Sequence, residues 1–219
     1  MAPSPPVRGD GVVPALPFPV MTIHPSIERI QAKLQALRLA DPQLALFGAS
    51  THKYLLDPVK TAAQVSAFER QHGIVLPDEY RQYLLHVGDG GAGPYYGMLP
   101  LKSSDRAGQL STAFQMSGAW NMCYEGDPGD KDAYMRWEAV YSDDKWRCGL
   151  LTICDFGCGD DVCLVVAGEE YGHIWMDDRC CDGGIHPDTS FGQTGRITFL
   201  AWYELWLDTS LREVQDNPG

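Results

Sequence analysis

Apolar residues recur at Ile27, Ile30, Leu34 and Leu37, at spacings of three and four, which places them on one face of a helix beginning after Pro25. Asp41-Pro42 ends that pattern. A second helix is predicted from Thr61, where Thr61 and Gln64 have the spacing of a capping box, through Val65 and Phe68 to Gly73 in the position that favours glycine after a helix. A third follows from Pro77, with Asp78 and Glu79 at its positive end and a buried stripe of Tyr80, Tyr83, Leu84 and Val87, closed by Gly88. Beyond the glycine-rich GDGGAGPYYG the pattern becomes β-like. A short strand is expected over Tyr96–Leu101, then three more at Gly149–Cys154, Val162–Ala167 and Gly172–Asp177. The last three are rich in Val, Leu and Ile with few interior charges, as in strands covered on both faces. A final helix is predicted from about Thr198 to Val214, its apolar stripe running through Phe199, Leu200, Tyr203, Trp206, Leu207 and Leu211. Helices, then strands, then a helix is an α+β order: N-terminal helices, a central and largely antiparallel sheet, and a C-terminal helix packed on it.

Two stretches stand outside this pattern. Residues 1–23 carry prolines at 3, 5, 6, 14, 17 and 19 and read as an extended arm ahead of a single domain over residues 24–219. Residues 102–147 scatter Trp120, Tyr124, Trp137 and Trp146 among polar runs, an excursion expected to hold helix around Arg106–Phe114 and Tyr134–Tyr141.

Composition sharpens the class. With 44% hydrophobic and 21% charged residues in 219, the chain is an ordinary globular one. Its net charge of −12 repels nucleic acid and anionic membrane and favours a basic partner. No window approaches the roughly 20 apolar residues of a membrane span. The proline density argues against a signal peptide. Seven cysteines, all beyond residue 122, are an odd and clustered set. They read as reduced thiols of a cytoplasmic protein rather than a disulfide scaffold.

Three segments carry a resemblance. FERQHGIVLPDEYRQYLLHVGDGG, from Phe68 to Gly91, has Gly73, Leu76, Pro77, Tyr80, Leu84, Gly90 and Gly91 at matching places; LLTICDFGCGDDVCLVVAGEEYGHIWMDD has Gly168, Gly172, Ile174 and Trp175; ITFLAWYELWL has Phe199, Trp206 and Leu207. In order and spacing they resemble the SUKH superfamily, the fold of yeast cell-wall-assembly regulators and many bacterial toxin-immunity proteins. The likeness spans about residues 60–210, without the 102–147 insert. It implies a single α+β domain that binds another protein and has no catalytic residues or cofactor. In bacterial members the partner is often a secreted toxin domain, commonly nucleic-acid-directed. The matching residues are fold determinants and bring no binding site with them.

Chemical motifs weigh little against this. Gly88-Asp89-Gly90-Gly91-Ala92-Gly93 has the form G-x-G-x-x-G, but a helix precedes it and Pro94 follows, the reverse of a dinucleotide site. Asp155 to Asp160 lacks the ligands of a calcium loop, with Val166 at the twelfth position. Zinc would need Cys154, Cys158, Cys180 and Cys181 to converge on the hairpin end, but the last two are adjacent, where structural zinc sites usually space paired ligands as C-x₂₋₄-C, so no metal is expected. Cys163 lies within a strand, expected buried and inert. His173 is expected nearer Val166 than Cys163, and His186 within reach of Cys180 or Cys181. Nearby carboxylates raise a thiol's pKa, which weighs against a thiol- or metal-dependent hydrolase.

What remains is charge. If Ala167 and Gly172 flank the turn, Asp161 faces Asp178, and antiparallel pairing gathers Asp155, Asp160, Asp161, Asp177 and Asp178 at one end of the hairpin, with Glu169 and Glu170 at the other. That end is expected to dock a basic protein, a toxin domain above all, with Tyr95, Tyr96 and Trp120 as aromatic anchors. The competing expectation is an intracellular scaffold or cell-wall-signalling regulator that recruits proteins through the Pro-rich arm.

Overall fold

The computed structural model describes residues 23–102 and 109–216. The arm up to residue 22 and the first part of the helix expected at Arg106–Phe114 lie outside them. Its elements are helices α1 (Ser26–Ala40), α2 (Ala49–His52), α3 (Ala62–His72), α4 (Asp78–His86) and α5 (Lys131–Tyr141), strands β1 (Leu150–Gly157), β2 (Asp160–Val165), β3 (Ile174–Asp178) and β4 (Gly184–Pro187), and helix α6 (Phe199–Asp216). The strands form one antiparallel sheet in the order β1-β2-β3-β4. The fold is α+β.

Local signals explain the helix boundaries. The Thr61 hydroxyl accepts from Gln64 N at 3.3 Å while the Gln64 side chain accepts from Thr61 N at 2.8 Å, a closed capping box at the start of α3. Gly73 ends α3 at φ +65°, a left-handed conformation that is costly for a residue bearing a Cβ.

Alternation along the strands divides the sheet between two cores. Leu151, Ile153, Val162, Leu164, Ile174 and Met176 point into the larger core, with Ile30 and Leu37 of α1, Tyr80 and Tyr83 of α4, and Phe199, Trp202 and Tyr203 of α6. Trp202 Nε1 donates to the buried Asp188 at 2.6 Å and Tyr203 donates to Ala92 O at 2.6 Å, so both buried polar groups are satisfied. Leu150, Cys163, Val165, Trp175 and Ile185 point to the other face, where Phe114, Met116, Trp120 and Trp146 of the insert cover them. The insert is therefore a lid over the outer face of the sheet, which is why the strands read as buried on both sides. Ring contacts run from Trp146 to Trp120 (4.5 Å), Tyr141 (5.6 Å) and Trp137 (4.9 Å), and on to Tyr134 (5.5 Å) and Tyr124.

Three expectations are corrected and one strand is added. Tyr96–Leu101 is not a strand: Met98 makes only isolated bridges to Gly91 and Cys154, because tight turns at Tyr95 (φ +53°) and Gly97 (φ +102°) break the extended run. The described part of Arg106–Phe114 is turn, and Phe114 bridges Gly168. The hairpin register differs by one residue: Asp161 pairs with Asp177, not Asp178. Gly172 N donates to Val165 O and Val165 N to His173 O, so the loop closes at Val165 rather than Ala167. Finally, β4 passed unseen, a short strand of Gly, Ile, His and Pro.

Candidate functional site

The one-residue difference in register decides the chemistry of the acidic hairpin end, because side chains alternate faces along a strand. Asp161 and Asp177, directly opposed, share the outer face with Cys163 and Trp175. Like charges opposed in this way are unfavourable. Two arginines neutralise the pair. Arg147, in the short 3₁₀ turn before β1, reaches Asp161 Oδ2 at 2.6 Å and Asp177 Oδ2 at 2.9 Å. Arg179 grips Asp177 with both Nε (2.7 Å) and Nη2 (3.0 Å), and its Nη1 donates to Tyr141 O at 2.9 Å. The outer pair thus anchors the end of α5 to the sheet, and Asp177 is buried.

Continuing the register one step sets Asp160 against Asp178 toward the opposite face. Among the described residues no lysine or arginine pairs with either, and His186 Nε2 lies 3.9 Å from Asp178 Oδ2. Asp160 is buried, and its Oδ1 has no hydrogen-bond partner. Burial, and then the charge of Asp160, raise the pKa of Asp178. Asp155, the fifth aspartate, is exposed at the rim; its Oδ1 accepts from Gly157 N at 2.8 Å and no cation faces it among the described residues. Exposed Asp182, which the sequence reading did not single out, extends the rim beyond β3. At the other end of the hairpin Glu169 is exposed and Glu170 is paired with Arg196.

The aromatic candidates separate. Tyr96 is 41% exposed, packs edge-on against exposed Phe47 at 5.3 Å, and lies beside the hairpin end through Tyr96 N and Asp155 O. Tyr95 is wedged between Phe156 and Phe191 with its hydroxyl buried, and burial raises its pKa. Trp120 is stacked in the insert and bonded by its backbone to Ile185 in both directions. Tyr95 and Trp120 are packing residues, leaving Tyr96 with Phe47 as the exposed aromatic pair at this end.

The thiols separate too. Cys154 is buried and its Sγ donates to Pro94 O at 3.1 Å, so the four-cysteine set does not assemble. Cys163 is buried, and burial pushes its thiol up to about 12 despite nearby Arg147. Cys158, Cys180 and Cys181 are exposed. His173 lies opposite Val165 and is 3.3 Å from Glu170. A cleft of about 420 Å³ runs between α5 and the hairpin end, lined by Tyr134, Trp137, Asp177, Arg179, Cys180 and Asp182.

The profile of the SMI1 / KNR4 family (SUKH-1) matches residues 61–193. The chain belongs to that family. The matched span carries α3, α4, the insert lid and the whole sheet, and so both aspartate pairs; α1 and α6 lie outside it. The SUKH-1 family is generally non-catalytic and is associated with protein–protein interaction in toxin immunity. No curated protein and no solved structure matches the chain. No helix among the described residues is long and apolar enough to cross a membrane.

Proposed function

We propose that this SUKH-1 chain is a non-catalytic, cytoplasmic immunity protein that neutralises a basic toxin domain by binding it directly, docking through the acidic end of its sheet. The observation that carries this reading is the imbalance of charge there. Arg147 and Arg179 answer Asp161 and Asp177, while Asp155, Asp160, Asp178 and Asp182 face no lysine or arginine among the described residues.

A domain that acts on nucleic acid presents a cationic cleft shaped for phosphates, and a rim of carboxylates matches that pattern. Exposed carboxylates such as Asp155 speed the encounter, and desolvated aromatics hold it. Tyr96 and Phe47 stand beside Asp155 and supply such an anchor. Buried Asp160 contributes through its field rather than by contact. The expected partner is a protein, with no nucleic acid, membrane or cofactor involved.

The test is protection. The product of the neighbouring reading frame is expressed in cells with and without this chain. The proposal expects growth arrest that this chain relieves, and a complex between the two purified proteins. A toxic neighbour that this chain neither binds nor counteracts contradicts it.

A further inference from the structure

The inner aspartate pair presents a problem that its outer counterpart does not. Both pairs set carboxylates against each other across β2 and β3, yet both arginines of this region serve the outer one. Asp160 is only 3% exposed, and its Oδ1 lies buried without a partner. A buried carboxylate oxygen left unsatisfied is costly. Around it the chain gathers further donors of a particular kind. A carboxylate oxygen of Asp160, one of Asp178 and the Sγ of Cys181 all lie within 4.8 Å of one another. His186 Nδ1 is 3.0 Å from Pro187 O. A carbonyl only accepts, so Nδ1 carries the proton and the neutral ring keeps its lone pair on Nε2, the nitrogen 3.9 Å from Asp178 Oδ2.

Backbone geometry holds this arrangement close. A Cβ on Gly183 would fall 1.9 Å from Asp178 Oδ2, so only glycine admits the carboxylate there. The short 3₁₀ turn Arg179–Cys181 brings the thiol back to the strand end.

We propose that Asp160, Asp178 and Cys181 bind a thiophilic divalent cation of the zinc class, with His186 Nε2, 3.9 Å from Asp178 Oδ2, as a further donor. Two carboxylates, a thiolate and an imidazole suit a borderline metal; an all-oxygen set would suit calcium or magnesium. Typical bonds of about 2.0–2.3 Å from zinc to O, N and S are reached by a modest contraction of the group. Binding displaces the proton of Cys181, which the hydrogen bond to Asp160, with burial and the charges of Asp160 and Asp178, otherwise holds at about 11. The dication offsets the repulsion across the pair and ligates the carboxylate of Asp160.

The experiment uses the full chain, stripped of metal, with thiols reduced and air excluded. Zinc chloride is titrated by calorimetry, and cobalt(II) is added in parallel to reveal thiolate ligation by its charge-transfer absorption. One equivalent is expected to bind, with that absorption present and the melting temperature raised. Cys181→Ser, at an exposed position that leaves the fold intact, should weaken zinc at least tenfold and abolish the thiolate band. Cys180→Ser, one residue away, should leave both unchanged. Asp160→Asn should lose zinc affinity while making the metal-free protein more stable, since it removes the repulsion. Absence of stoichiometric zinc binding in the wild type overturns the proposal. So does zinc binding that survives both Cys181→Ser and Asp160→Asn, or that is lost in Cys180→Ser.

Discussion

Asp161 and Asp177 face each other across β2 and β3, with Arg147 bonded to both. The guanidinium between them sustains the opposition, and Arg179 holds Asp177 from the side. Arg147→Met should therefore leave two opposed carboxylates on a covered face and cost about 3 kcal/mol in chemical unfolding. Adding Asp161→Asn and Asp177→Asn to the same chain should restore most of the loss. A single replacement without measurable cost would remove the pair from the account of stability.

The aromatic lid makes a second prediction. Trp120 stacks on Trp146 and Tyr141 and bonds β4 through its backbone. Trp120→Ala should destabilise by about 3 kcal/mol, the low end for large aromatics because the ring is only half-buried. Amide exchange should accelerate at Ile185 before it does in α6. Uniform acceleration would mean that the lid and the main core open together.

His52 sets a pH dependence. Its Nδ1 accepts from Tyr54 N at 3.1 Å, which requires the neutral ring, and burial lowers its pKa from 6.5 to about 4. A folded pKa below the unfolded one means that the unfolded chain takes up the proton first. Stability from this group is thus full above pH 6.5 and falls as the pH drops toward 4, by roughly 2–3 kcal/mol. His52→Asn keeps an acceptor for Tyr54 N and should flatten stability over that window in urea titrations. An unchanged slope would assign the dependence elsewhere.

Thiol labelling separates the cysteines. Cys123, Cys158, Cys180 and Cys181 should react with an aromatic disulfide in the native state, Cys181 slowly because its thiol is pushed up to about 11. Cys154 and Cys163 should react only on unfolding. Fast native labelling of Cys163 would contradict the covered outer face.

The helices were legible because their signals are local: the capping box at Thr61, the glycine after His72, and the three-four spacing of Ile27, Ile30, Leu34 and Leu37 all depend on residues within a turn or two. β1, β2 and β3 were legible as apolar runs, whereas the short β4 was not. Register was not, because it depends on where the 166–173 loop closes, and one residue there exchanges the partners of the aspartates on β2 and β3. The role of the insert was equally hidden. Trp120 is far in sequence from Tyr141 and Trp146 and stacks on them only once β4 provides the edge on which it sits. The acidic end was visible as a cluster, but its division into an outer pair answered by arginines and an inner pair without them required the fold.

The central claim is that the acidic end docks a basic protein. Its most direct measurement is the dissociation constant for the neighbouring toxin domain as a function of salt, for the wild type and for a chain carrying Asp155→Asn, Asp182→Asn and Tyr96→Ala, none of them in the proposed cation site. The account predicts at least tenfold weaker binding and a shallower salt dependence in the variant, with the fold intact. Equal affinity and an equal salt slope would contradict it.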